Sequence, residues 1–455
     1  MALESINPAT GETIATYEET TSEELELIIS QAQKAFSDWR RATFAERANL
    51  LNQAAKVLRE NSDRYARMMT EEMGKPIRDA RSEVEKCAWV CDYYAEKGES
   101  FLQPEIIETD ATKSFVTFQP LGVILAVMPW NYPFWQVFRF AAAGLMAGNT
   151  VILKHAANVP GSALAIEEVF RNAEFPEQVF RSLLVGSNKV SPIIENPLIK
   201  AVTLTGSVGA GRAVAEKAGT MLKKTVLELG GSDPYIILED AELEQAVETC
   251  VFSRLLNSGQ SCIAAKRFVV VASQRQQFEQ LFTERMAEAK MADPLAESTE
   301  VGPQARLDLR EDLHRQVTQS IKKGARLLLG GKVPEGKGFF YPPTVLTDVT
   351  QGMAAYDEEL FGPVGAIIPV KDEEEAIRVA NETSFGLGAA VFTKDVARGE
   401  KIAAEKLEAG CCFVNDFVRS DPRLPFGGVK DSGYGRELSQ YGIKEFVNIK
   451  TVVIK

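Results

Sequence analysis

From about residue 122 onward, short apolar runs alternate with helix-patterned stretches, and no other feature narrows the fold of this chain so far. "VILAVMP" precedes "FWQVFRFAAAGLMAG", and "TVILK" precedes "GSALAIEEVFRNA". "SLLVG" precedes a short helical stretch, "KAVTLTG" precedes "AGRAVAEKAG", and "KKTVLELG" follows. A strand that is apolar at every position has to be covered on both faces. Strands of that kind between helices predict a parallel sheet with helices on each side. A second series begins near residue 234 with "PYIIL", the helical "AELEQAVETCVFSRLLNSG", "RFVVVA", "RQQFEQLFTERMAEAK", "VGAIIPV" and "AAVFT". The chain therefore reads as two α/β domains.

Residues 22 to about 102 are helix-rich. "SEELELIISQAQKAFSDWR" begins with a Ser cap and repeats apolar residues at helical spacing. "TKSFVTFQP" alternates in the manner of a strand. The C-terminal "KEFVNIKTVVIK" alternates too, so it is expected to pair with that strand or with another subunit.

Composition excludes several classes of function. The chain has 455 residues, and a length of this order suggests two or three domains. "MALESINPATGE" has no apolar core of the kind a signal peptide needs. The apolar "LGVILAVMPW" is cut by Pro129, and "FAAAGLMAG" carries glycines, so no membrane span is expected and the protein reads as cytoplasmic. A net charge of −12 argues against a nucleic-acid surface, and it means that an anionic substrate needs a local cation. Six scattered cysteines make no disulfide framework; Cys87 and Cys91, one helical turn apart, read as packing. With two histidines, His155 and His314, no metal site is expected. His155 reads as a structural hydrogen-bonder and His314 as part of a solvated helix face.

Two stretches carry candidate chemistry. "GSVGAGRAV" follows a strand and opens a helix, the setting of a phosphate-binding loop. Its spacing departs from the usual dinucleotide fingerprint, because a G-x-G-x-x-G reading from Gly209 puts Val214 in the third glycine position. The spacing alone leaves a tight strand-to-helix turn and a nucleotide site both open. "NSGQSCIAAKR" holds Cys262, which is either a nucleophile or one more buried sulfur.

Six motifs then occur in order: "PWNYP" (129–133), "LTGSVGAG" (204–211), "LELGGSDP" (227–234), "GQSC" (259–262), "EELFGP" (358–363) and "FGGVKDSGYGRE" (426–437). Together they resemble the NAD(P)-dependent aldehyde dehydrogenase superfamily over essentially the whole chain. Within it, "LKHA" and "LGGSDP" most resemble the short bacterial succinate-semialdehyde dehydrogenases. The resemblance implies an α/β fold with a Rossmann-type cofactor domain at 1–102 and 121–229. It also implies an α/β catalytic domain at 230–438, a small β oligomerisation segment at 103–120 and 439–455, and a homodimer or homotetramer.

The resemblance also implies roles. Cys262 is the nucleophile, whose thiohemiacetal gives up a hydride and leaves a thioester for water. No positive residue immediately precedes it, so activation by a base or by backbone dipoles is expected. Glu228 is the general base, and the glycines after it are expected to let its side chain swing. Its position, 22 residues after Gly206, also suits a ribose-binding acid. Asn131 is the oxyanion donor. Trp130, Lys154, Ala157, Gly206, Ser207, Gly211, Leu229, Glu359 and Phe361 surround the cofactor. Ala157 stands where NAD-preferring members often carry a glutamate; without that repulsion, NADP is expected over NAD.

The resemblance implies succinate semialdehyde as the substrate, oxidised to succinate, with glutarate semialdehyde or an uncharged aliphatic aldehyde as the other candidates. Arg139, eight residues after Asn131, is the expected receptor of the semialdehyde carboxylate, with Ser420 and Trp135 beside it. A further arginine found in some members is here Leu256, with Arg254 nearby, and a second cysteine is here Ala264. The alternatives are a dehydrogenase of another aldehyde, a CoA-acylating enzyme, or an inactive structural relative.

Overall fold

The computed structural model describes residues 2–455. The predicted α/β architecture is present as two large sheets. One has six strands, in the order Gly433–Tyr434, Lys224–Glu228, Ile199–Thr205, Val123–Val127, Thr150–Lys154, Phe180–Leu183. All its pairings are parallel except the edge formed by Gly433–Tyr434. The other has seven, in the order Arg326–Leu329, Thr344–Thr347, Val364–Val370, Arg267–Val271, Pro234–Ile237, Gly388–Phe392, Cys411–Val414. It too is parallel apart from its first pair. Strands such as Val123–Val127 and Arg267–Val271 are buried almost throughout, as fully apolar runs require.

Connectivity in the six-stranded sheet fixes where a ligand can sit. From Val123–Val127 the chain steps outward through Thr150–Lys154 to Phe180–Leu183, then returns to Ile199–Thr205 on the other side of the starting strand. The two strands that flank this reversal splay their following loops apart. In open α/β sheets that crevice, at the carboxyl ends of the strands, is the ligand site. Lys154, Thr205 and Glu228 each end a strand on this side.

The helix-rich region is four helices, Ser22–Trp39, Phe44–Glu60, Ser62–Met73 and Ile77–Phe101. The first two begin with reciprocal capping by Thr21 with Glu24 and by Thr43 with Glu46, so the cap of the first is Thr21 and the expected Ser22 is its first helical residue. Cys87 and Cys91 are buried on the last of them, in the packing role expected. The C-terminal strand Val447–Ile454 pairs antiparallel along the whole of Lys113–Pro120, the first of the two pairings foreseen. A hairpin of Ala2–Asn7 and Glu12–Glu18 was not foreseen, because its residues are largely polar and exposed. No helix among the described residues is long and apolar enough to cross a membrane.

Candidate active site

The loops after the two strands at the sheet reversal meet the segment around Cys262 in one cleft. Trp130, Asn131, Gly206, Ser207, Leu229, Cys262, Glu359 and Phe361 line it, all named from the sequence. Gln136, Thr205 and Leu309 line it as well. The Trp130 and Phe361 rings stand edge to face at 5.7 Å across one wall.

The predicted helix before Cys262 stops at Leu255 and does not run on to Gly259. Asn257 (φ 55°), Ser258 (φ 56°) and Gly259 (φ 74°) all adopt left-handed backbone. Side-chain-bearing residues accept that conformation only when surrounding contacts enforce it. Here Asp79 accepts from the Asn257 N–H at 3.1 Å, and the Gly302 N–H donates to Ser258 Oγ at 2.8 Å. Arg254 is wholly buried and donates to the Gly259 carbonyl at 2.6 Å, so it holds this turn and does not face a substrate. Lys266 Nζ donates to the carbonyls of Ser261, Cys262 and Ala264 at 2.9, 2.8 and 3.2 Å.

Burial pushes the Cys262 thiol up to about 12, against the opposing pull of Arg139 first and Lys266 second. Two cations oppose that rise, Arg139 from a distant helix and Lys266 from four residues further along the same loop.

Asn131 is buried, and its Nδ2 donates to the Gln260 carbonyl at 3.2 Å. An amide nitrogen carries two hydrogens, so one remains for an oxyanion. Asn257 Nδ2 holds the Asn131 carbonyl at 2.8 Å. The same loop is pinned further along by Glu83, whose Oε1 accepts from the N–H groups of Phe134 and Trp135 at 2.9 Å each.

Glu228 is 2 % exposed, and neither carboxyl oxygen has a hydrogen-bond partner. Burial, then Glu437, raise its pKa well above the carboxylate range, with Arg139 opposing. The carboxyl lies against Gly427, where an added Cβ would stand 2.7 Å from Oε1. Glu228 does not line the cleft. Gly230 and Gly231 serve close packing: a Cβ at Gly230 would strike Glu359 at 2.4 Å, and one at Gly231 would strike the Cys262 carbonyl at 2.6 Å. That is a different use from the swing expected of them.

Among the cofactor residues, Lys154 is 7 % exposed, and burial lowers its pKa. Ala157 is exposed. Ser207 caps the helix Val208–Thr220, its Oγ accepting from the Ala210 N–H at 3.3 Å. The Gly206 N–H is already taken by the Glu228 carbonyl at 3.0 Å. Gly211 does not line the cleft. A Cβ there would collide with Leu229 at 2.5 Å, so this glycine lets the helix seat against Leu229 and contributes only through it. Glu359 Oε1 accepts from the Gly231 N–H at 3.0 Å and lies 3.5 Å from Lys266 Nζ.

Arg139 requires a correction. Its guanidinium is 2 % exposed and forms an ion pair with Glu437, itself 3 % exposed. It also lies 4.7 Å from the Phe426 ring centre and donates to Thr205 Oγ1 at 3.3 Å. Its charge is already compensated, so a substrate carboxylate would have to displace a buried one. Trp135 and Ser420 are buried, and both touch Lys86, which sequence reasoning did not single out. Glu437 was within a quoted motif, but nothing local marked it as the partner of Arg139. His155 is buried, its Nε2 2.8 Å from the Pro133 carbonyl, and burial lowers its pKa to about 4, a structural role as expected. His314 is half-buried, with Nδ1 3.2 Å from the Tyr341 hydroxyl, and so is less solvated than expected.

The sequence profile of the aldehyde dehydrogenase family matches residues 1–452. A Synechocystis protein described as a probable succinate-semialdehyde dehydrogenase [NADP(+)] is 50% identical over 454 residues, covering 100% of both chains. An Escherichia coli succinate semialdehyde dehydrogenase [NAD(P)+] is 48% identical over 448 residues, covering 98% of this chain and 97% of its own. The crystal structure of the Streptococcus pyogenes succinic semialdehyde dehydrogenase with NADP+ superposes with a TM-score of 0.97 at 39% identity, covering 100% of both chains. With five of the six motifs lining one cleft and the match running from end to end, this chain belongs to the aldehyde dehydrogenase family.

Proposed function

We propose that this chain oxidises succinate semialdehyde to succinate, with NADP preferred to NAD. The observation that carries this reading is that the Cys262 thiol opens onto the cleft formed at the sheet reversal, beside Asn131 and Glu359. The names of the relatives at 48–50% identity support the substrate and the coenzyme.

The residues present fit a nicotinamide dinucleotide. Lys154 is a buried cation with no carboxylate within 4.0 Å among the described residues, and the helix Val208–Thr220 starts at the cleft. Lys154, Ser207, Glu359, Trp130 and Phe361 would hold it, and Ala157 leaves room for a 2′-phosphate. When bound, it accepts the hydride that converts a thiohemiacetal into a thioester.

The remaining chemistry belongs to the chain. The Cys262 thiolate adds to the aldehyde carbon, and Arg139 and Lys266 favour that thiolate. The free N–H of Asn131 and the backbone N–H of Cys262 stabilise the oxyanion. Glu228, once deprotonated and turned to the cleft, takes a proton from the water that attacks the thioester. The C–S bond then breaks and returns the thiolate. The balance is aldehyde, water and oxidised coenzyme to carboxylate, reduced coenzyme and two protons. Glu228 favours water over CoA as the acyl acceptor.

The same reading takes 1–102 with 121–229 as the cofactor domain, 230–438 as the catalytic domain, and the remaining segments as the self-association surface. Ile106, Ile449 and Val453 are exposed on that three-stranded sheet, which supports a homo-oligomer, and light scattering tests it. The function is tested by a panel of a dozen aldehydes against both coenzymes, with and without CoA. Succinate formed without CoA, fastest from the semialdehyde with NADP, is the expected result. Preference for an uncharged aldehyde, or a need for CoA, overturns the reading.

A further inference from the structure

Lys86 projects from the helix Ile77–Phe101 into the neighbourhood of the residues assigned to the substrate. Its Nζ donates to Ser420 Oγ at 2.8 Å and lies 4.4 Å from the Trp135 ring centre. It is half-buried, and no carboxylate comes within 4.0 Å of Nζ among the described residues. Trp135 and Cys262 pack into one apolar cluster. Trp135, under the ammonium, and Arg139 lie one turn apart on the helix Trp135–Met146, and the Arg139 charge acts on both Lys86 and Cys262.

Arg139 is paired with Glu437, which leaves Lys86 as the cation without a carboxylate partner beside Trp135 and Ser420. A desolvated ammonium without a counter-ion is costly, and an arriving carboxylate relieves that cost. A hydroxyl beside it supplies a second hydrogen bond to the same anion, and an aromatic face below it favours the cation.

We propose that Lys86 is the specificity residue that receives the carboxylate of an ω-carboxy aldehyde, with the Ser420 hydroxyl beside it and the Trp135 ring as its floor. This assignment rests on the semialdehyde reading above. It also carries a pH signature. Burial first, then Arg139, lower the Lys86 pKa to about 8, against Cys87, Glu83 and Asp421. The protonated form binds the anion. The KM for the semialdehyde is therefore low below about pH 8 and rises above it.

The experiment compares succinate semialdehyde with butanal, which has the same chain length and no carboxylate, in the wild type, Lys86→Met and Lys86→Arg. Titrations shared by both substrates, those of Cys262, Glu228 and Glu437, cancel in the ratio of their kcat/KM values. In Lys86→Met that ratio is expected to fall about ten-fold or more, chiefly through KM. Lys86→Arg restores the ratio and flattens its fall above pH 8, because a guanidinium stays charged. A wild type that prefers the semialdehyde, with Lys86→Met keeping that preference, overturns this assignment alone. A wild type that does not prefer the semialdehyde overturns the substrate reading and this assignment with it.

Discussion

Arg139 and Glu437 form a buried ion pair, and its charges act on the two groups that matter most to the chemistry. Its cation lowers the pKa of the Cys262 thiol, and both partners act on Glu228 in opposite senses. Removing one partner strands the other in the interior. Arg139→Met is expected to destabilise the protein by roughly 3–5 kcal/mol. Arg139→Met with Glu437→Gln should recover much of that loss. Urea denaturation of the single and double variants measures it, and additive losses would show that the pair is uncoupled.

The Cys262 thiol is held up at about 12 by burial. Without coenzyme, its alkylation by iodoacetamide should therefore accelerate steadily from pH 7 to pH 10, with no plateau near 8.5. Cys262→Ser should remove that labelled site and turnover together. A thiol that reaches its full rate at pH 8 would mean that the cations outweigh burial.

Glu228 links stability to pH in a direction opposite to that of a salt-bridged acid. Its folded pKa is raised, so the stability it contributes is fully present below the unfolded value near 4.5. That contribution is lost as pH rises through the higher folded value. Glu228→Gln is expected to be more stable than the wild type at pH 8, with little difference at pH 4.5. Turnover should fall by about 10²–10⁴ for a lost general base. Thermal midpoints at the two pH values, read beside kcat, check both halves.

Gly259 permits the turn that presents Cys262. Its φ is 74°, and an added Cβ would stand 2.3 Å from the Gly362 carbonyl. Gly259→Ala is expected to cost more than about 1 kcal/mol and to slow the enzyme, because the nucleophile loop must shift. Gly209, with nothing within 4 Å of its Cβ position, is the control, and Gly209→Ala should be mild. Equal effects at the two sites would argue against a steric cause.

Ala157 is the point at which coenzyme choice can be reversed. Ala157→Glu introduces a carboxylate that repels a 2′-phosphate, and the ratio of kcat/KM for NADP over NAD should fall at least about ten-fold. Initial rates at low concentrations of each coenzyme test this. An unchanged ratio would move the discriminating contact away from residue 157.

Much of this protein was legible in its sequence because the relevant signals are local. Apolar runs between helical stretches required a parallel sheet, and glycine at a strand-to-helix junction marked a cleft wall. Cys262, Asn131, Leu229 and Glu359 could be named from short motifs, and they meet in one cleft. What the linear order could not supply was which distant side chains would meet. The Arg139 charge reads as free until Glu437 is folded against it, and Lys86 reads as one more helix lysine until Ser420 arrives beside it. Gly211 reads as one of the residues around the cofactor until the fold sets Leu229 against it. Periodicity and motif spacing are properties of neighbours along the chain. The compensation of a buried charge and the clearance around a Cβ are settled only by what the tertiary fold brings within a few ångströms.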